Sequence, residues 1–248
     1  MKTKLFVLML LSLFLFPALA AAQDDEMMMA VISEDVAVMS GDQAYESYLA
    51  APEGEGPYPG IVLIHSFNGL EEGYRTMTDH LAAEGFVVLA VGWQTFERSP
   101  SDDLMTQLVQ DSIDFLTARD DVDPELLGLT GFCAGGRYTM LFMPQFEAFG
   151  AGVAWYGFPY NGDTTASSLV NDLQAPMLII HGTEDTASAI GDIYRYAGEL
   201  TDAGKSFELK VYQGEPHGFM LSDGQLRDDE VALDAFDEMA SYFTRKLG

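Results

Sequence analysis

Five uninterrupted apolar runs constrain this chain more than any other feature: Gly60-Ile61-Val62-Leu63-Ile64, Phe86-Val87-Val88-Leu89-Ala90-Val91, Leu126-Leu127-Gly128-Leu129-Thr130, Gly150-Ala151-Gly152-Val153-Ala154-Trp155 and Pro176-Met177-Leu178-Ile179-Ile180. Each is of strand length and lacks the polar alternation of a half-solvated strand, which is the pattern of strands covered on both faces. Helical spacing fills the intervals. It predicts helices over 76–84 (Met77, Leu81, closed by Gly85), 104–118 (Leu108, Ile113, Phe115, Leu116), from Cys133 to about Met143, over 190–203 and over 228–246, with a further strand over 206–212. Upstream, alternating stretches around 35–39 and 44–49 flank Ser40-Gly41-Asp42 as a hairpin. Strands alternating with helices predict an α/β fold, a doubly wound, mostly parallel sheet with an antiparallel N-terminal hairpin. With 248 residues, 48% of them hydrophobic, one domain over 23–248 is expected.

Residues 1–22 are set apart. Lys2 and Lys4 precede the apolar run Leu5 to Phe16, which ends in small residues at Ala18 to Ala22, as in a secretory signal peptide. The run is short for a membrane span and is followed by Gln23-Asp24-Asp25-Glu26, so a secreted or periplasmic protein without stable membrane insertion is expected. Removal of the two lysines would take the net charge from −27 to −29. Such a surface repels polyanions and excludes nucleic acid as a partner, because phosphate binding needs clustered Lys and Arg.

The single cysteine, Cys133, has no internal disulfide partner. It lies in Gly131-Phe132-Cys133-Ala134-Gly135-Gly136, directly after a buried run and before a helix. Glycines on both sides of a reactive residue permit the sharp turn that lifts a nucleophile above the carboxyl edge of a sheet. Ligands of open α/β sheets gather at that edge, so residues just after strands are the ones to inspect. Asp185 follows the run 176–180 and His217 follows the strand 206–212. Nucleophile, acid and histidine thus occur in the order of α/β-hydrolases. A thiol attacks an acyl carbon as thiolate, an imidazole must hold its proton, and a carboxylate must orient the imidazole. The developing oxyanion needs backbone donors, for which the amides of Phe67 and Ala134 are placed. Ser66, Trp93, Arg98, Tyr156 and Phe219 are candidates for the substrate pocket, since each falls in a loop after a strand or beside His217. His65 and His181 are expected to shape loop backbones, His80 to be solvated, and no pair of histidines has the spacing of a metal site.

The elbow, together with His181-Gly182-Thr183-Glu184-Asp185 and His217-Gly218-Phe219, resembles the dienelactone hydrolases (carboxymethylenebutenolidases) over about residues 37–243. The resemblance implies a monomeric, cofactor-free hydrolase of small-molecule esters or lactones, acting through a thioester on Cys133 with His217 as base and Asp185 as orienting acid. Two departures stand out. The family's glutamate after the first buried strand is matched by Ser66, and the arginine expected close behind the catalytic histidine is matched by Met220-Leu221. Arg98 and Arg137 are left as candidates to hold an anionic substrate. A hydrolase of thioesters or amides, and a non-catalytic binding protein on the same fold, are the alternatives that these residues leave open.

Overall fold

The computed structural model describes residues 29–248, so the expected leader over 1–22 lies outside the described residues. Its centre is an eight-stranded sheet in the order β1-β2-β4-β3-β5-β6-β7-β8. Strands β1 (Val31–Ser40) and β2 (Gln43–Pro52) form the N-terminal hairpin, and β2 pairs antiparallel with β4 (Val87–Val91). From β4 through β3 (Tyr58–Ile64), β5 (Val122–Phe132), β6 (Phe149–Trp155), β7 (Met177–Gly182) and β8 (Phe207–Tyr212) all pairing is parallel. The expected α/β class, parallel sheet and edge hairpin are all present.

Helices α1 (Glu72–Ala83), α2 (Asp102–Thr117), α3 (Ala134–Phe142), α4 (Ile190–Asp202) and α5 (Glu230–Leu247) cover both faces. One core cluster joins α2, α3 and α4 to the sheet through Leu108, Met140 and Ile193; the other joins α1 and α5 through Met77, Leu81, Met239 and Phe243. This double cover explains the continuous apolar runs, for Ile61 to Ile64 are fully buried. Ser101 caps α2 by accepting from the Leu104 amide, and Asp229 caps α5 by accepting from Val231 and Ala232.

Three features differ from the sequence expectation. Helix α1 begins at Glu72, a turn before residue 76, and carries Gly73 in that first turn. Strand β5 starts at Val122, and its register with β3 jumps from Pro59↔Asp123 to Gly60↔Leu127, so Pro124, Glu125 and Leu126 have no partner on β3. A small hairpin, β9 (Leu221–Ser222) and β10 (Gln225–Leu226), stands on the stretch after His217. Among the described residues no helix is long and apolar enough to cross a membrane, and no group of three or more His, Cys, Asp or Glu residues is arranged to hold a metal ion.

Candidate active site

Cys133 stands between β5 and α3 with φ 58° and ψ −110°, a conformation that costs a non-glycine residue of order 1–3 kcal/mol. Surrounding contacts hold it there. The Cys133 amide donates to the Trp155 carbonyl at 3.1 Å, and its carbonyl accepts from Arg137 at 3.0 Å. A Cβ on Gly135 would collide with the Ile64 carbonyl oxygen, and one on Gly136 with that of Trp155. The two glycines therefore seat α3 directly on the ends of β3 and β6, with Cys133 at the strand ends and the Ala134 amide at the first helical position. Neither that amide nor the Phe67 amide is taken up by another hydrogen bond among the described residues.

The acid is fixed by its own loop. Asp185 Oδ1 accepts from the amides of Ala187 (2.9 Å) and Ser188 (2.7 Å), which leaves Oδ2 for His217. His217 Nδ1 donates to that oxygen at 2.7 Å. The loop carrying His217 is held in turn, since the Glu184 amide donates to the Glu215 carbonyl at 3.0 Å and a Cβ on Gly182 would strike the same carbonyl. Burial alone would lower the imidazole pKa, but hydrogen bonds to Asp185 and Cys133, with their charges, outweigh it and raise it from 6.5 to about 9. The same contacts act in reverse on Asp185: burial raises its pKa, and the His217 bond and Ser188 amide more than offset that, for a net lowering.

Two other histidines serve the backbone, while His80 is exposed on α1, as expected, and meets the Phe236 ring edge-on. His65 is buried, donates from Nδ1 to the Ser66 carbonyl at 2.7 Å and stacks on Trp93, and burial lowers its pKa to about 4. His181 donates from Nε2 to the Ser188 carbonyl at 2.8 Å and lies 3.5 Å from Asp185 Oδ2, so it supports the acid's loop from beneath.

A cleft of about 470 Å³ opens over Cys133 and His217, and Ser66 and Tyr156 line it. The other pocket candidates lie elsewhere. Trp93 is 1% exposed and donates from Nε1 to the His65 carbonyl, which turns the ring into the core. Phe219 packs among Trp155, Tyr156 and Tyr212, so it backs the site without lining it. Arg98 stacks on the Phe67 ring at 4.6 Å and does not reach the lining. Arg137 makes a bidentate pair with Asp102, at 2.7 Å for both bonds, and is structural. The lining that sequence reading missed includes Glu71, Tyr74, Leu221 and Asp223. The dipeptide Asp223-Gly224 between two short apolar-polar pairs was the available signal, because Asp-Gly is a favoured two-residue hairpin turn.

The strand order and the succession of nucleophile elbow, acid and histidine at one sheet edge define an α/β-hydrolase. Within that class the chain belongs to the Dienelactone hydrolase family, whose sequence profile matches residues 45–93 and 91–247. A carboxymethylenebutenolidase homologue from Methylorubrum extorquens is 27% identical over 237 residues, covering 86% of this chain and 81% of its own. The crystal structure of a dienelactone hydrolase from Klebsiella pneumoniae superposes with TM-score 0.75 at 24% identity, over 87% of this chain and 99% of that one. A dienelactone hydrolase-like promiscuous phosphotriesterase from metagenomic libraries has TM-score 0.76 at 19% identity, over 88% and 100% of the two chains. These likenesses establish the fold and a hydrolase family.

Proposed function

We propose that this chain hydrolyses small-molecule esters or lactones through a thioester on Cys133. The observation that carries the reading is the 2.7 Å bond from His217 Nδ1 to a doubly anchored Asp185, with the same imidazole in contact with Cys133. His217 holds the proton and the sulfur reacts as the thiolate. The sulfur attacks the acyl carbon, and the carbonyl electrons move to an oxygen received by the Phe67 and Ala134 amides. As the tetrahedral adduct collapses, the ester C–O bond breaks and the imidazolium protonates the departing alkoxide. Acylation removes the charge on sulfur that helped hold the imidazole proton, so neutral His217 now accepts a proton from water. Water cleaves the thioester, releasing the carboxylic acid and restoring the thiolate beside the protonated His217.

The setting proposed is extracytoplasmic, from the leader-like composition of residues 1–22, with the enzyme acting as a monomer. The test is hydrolysis of p-nitrophenyl acetate, with mass spectrometry of the intact protein to find the acyl group. Cys133→Ala is expected to lose turnover and the adduct together while keeping its fold. Retention of most activity in that variant would overturn the reading.

A further inference from the structure

The hairpin β9/β10 arches over the cleft because α1 has a glycine where they meet. The Gly73 amide donates to the Gly224 carbonyl at 2.8 Å, and a Cβ on Gly73 would strike the Leu221 side chain and stand 2.7 Å from the Leu226 amide nitrogen. Arg227 anchors the base of the hairpin, with its Nη1 donating to the Phe219 carbonyl and to Glu215. At the tip, Asp223 (φ 51°) and Gly224 (φ 74°) both take the left-handed conformation of a type I′ turn. A Cβ on Gly224 would lie 3.1 Å from Glu71 Oε1, so the tip of the hairpin sits close against the Glu71 carboxylate.

Glu71 and Asp223 thus line the same cleft as Cys133, and among the described residues no lysine or arginine does. Among the described lining residues His217 is the only cation, and it is matched by Asp185 and Cys133. Neither rim carboxylate has an arginine or lysine partner among the described ion pairs, while Arg227 is committed to Glu215 and Asp229. Burial raises the Glu71 pKa, so its charge is incompletely solvated and would be stabilised by an opposite charge. The walls suit the same ligand: Tyr74 and Tyr156 are aromatic, and ring faces attract cations, whereas the Phe67 ring is already covered by Arg98. Tyr156 is fully buried, and its hydroxyl has no hydrogen-bond partner, although the Met220 backbone comes near. That unpaired group is available to a polar atom of a ligand in the cleft.

We propose that Glu71 and Asp223 select substrates by charge, admitting acyl compounds with a cationic or neutral substituent and turning away those bearing a carboxylate. This inference rests on the reading of the cleft as the acyl-hydrolase site. Its test does not. Cys133 is the only thiol, so its accessibility can be read with a pair of methanethiosulfonate reagents, one bearing a trimethylammonium and the other a sulfonate. The thiolate attacks the reagent's sulfur, expels methanesulfinate and forms a mixed disulfide. Rates are normalised to those of a free small thiol, which removes the reagents' intrinsic difference. The cationic reagent is expected to be favoured by about tenfold or more at low salt, the effect of a unit charge or two several Å away.

Glu71→Gln with Asp223→Asn should bring the ratio close to unity, and Glu71→Lys should reverse it. A ratio near unity in the native protein overturns the proposal. So does a ratio that the double variant leaves unchanged, since the selection would then belong to the overall charge of −27. Turnover of acetylcholine, its uncharged isostere dimethylbutyl acetate and acetoxypropanoate gives the companion series. If none is hydrolysed but the reagent ratio holds, the hydrolase reading has failed and the charge selection has not.

Discussion

The floor and the rim of the cleft are built by opposite means. The floor is over-determined: Cys133 is forced into a strained turn by glycines packed against the carbonyls of Ile64 and Trp155, and Asp185 is held by two amides before it meets His217. The rim is two short strands and a two-residue turn, fixed by the Gly73 to Gly224 bond and by Arg227. In the proposed reaction the strained floor positions the reacting atoms, whereas the role proposed for the rim is to place charge and shape near the entrance. Chemistry and selection are therefore open to separate change.

The largest expected effect lies on the floor. Asp185→Asn should reduce turnover by on the order of 10³-fold or more, because the amide favours the wrong tautomer of His217. If it has little effect on steady-state ester hydrolysis, another acid orients the histidine. Next comes Gly135→Ala. Its methyl group has no room against the Ile64 carbonyl, so the elbow must shift, with a loss of about 10²-fold in kcat/KM and a lower melting temperature. Unchanged values in both would mean that the elbow is softer than its contacts imply.

The third effect is read by pH. His217 has its pKa raised to about 9, so it holds its proton in the free enzyme below that value and loses it above. In the proposed mechanism the imidazolium is the donor to the leaving alkoxide, so kcat/KM should fall above about pH 9, by about tenfold per pH unit. An uninterrupted climb beyond that point would exclude the imidazolium as donor. The smallest effect belongs to the rim. Gly73→Ala should displace the hairpin and change KM several-fold, while the iodoacetamide rate of Cys133 stays within about twofold, since the floor is untouched. Equal losses in both would show that the two regions act as one.

The floor is legible in the sequence and the rim is not, for a physical reason. Buried parallel strands carry their own signal, and glycines on both sides of a post-strand cysteine mark a turn that presents a nucleophile, so Cys133, Asp185 and His217 fall on one edge from the order of residues alone. Position after a strand gives the edge but not the direction of a side chain. Trp93 turns inward because its Nε1 finds the His65 carbonyl, and Phe219 because three aromatic rings receive it. The first turn of α1 escapes the helical pattern because Glu71, Glu72 and Gly73 give no apolar stripe. That glycine is a tertiary requirement of the hairpin above it, and no local rule for helices would ask for it.

The two outer strands of the sheet have a consequence for the company this molecule keeps. An unpaired strand edge is a template for another chain, and β8 is such an edge. It carries Glu208 within reach of Arg245 and Lys246, and Lys210 within reach of Asp234 and Glu238, all from α5. Exposed pairs of this kind add less than about 1 kcal/mol each to stability. Their greater effect is on a strand approaching from outside, which would have to disturb a lattice of fixed charges before forming its first backbone bond. On the opposite edge β1 presents Ser33, Glu34 and Asp35 to solvent beside the exposed Ile32 and Met39, and Arg75 is tied to Asp35. Charge at both margins works against ribbon growth from one molecule to the next and helps the sheet stop at eight strands.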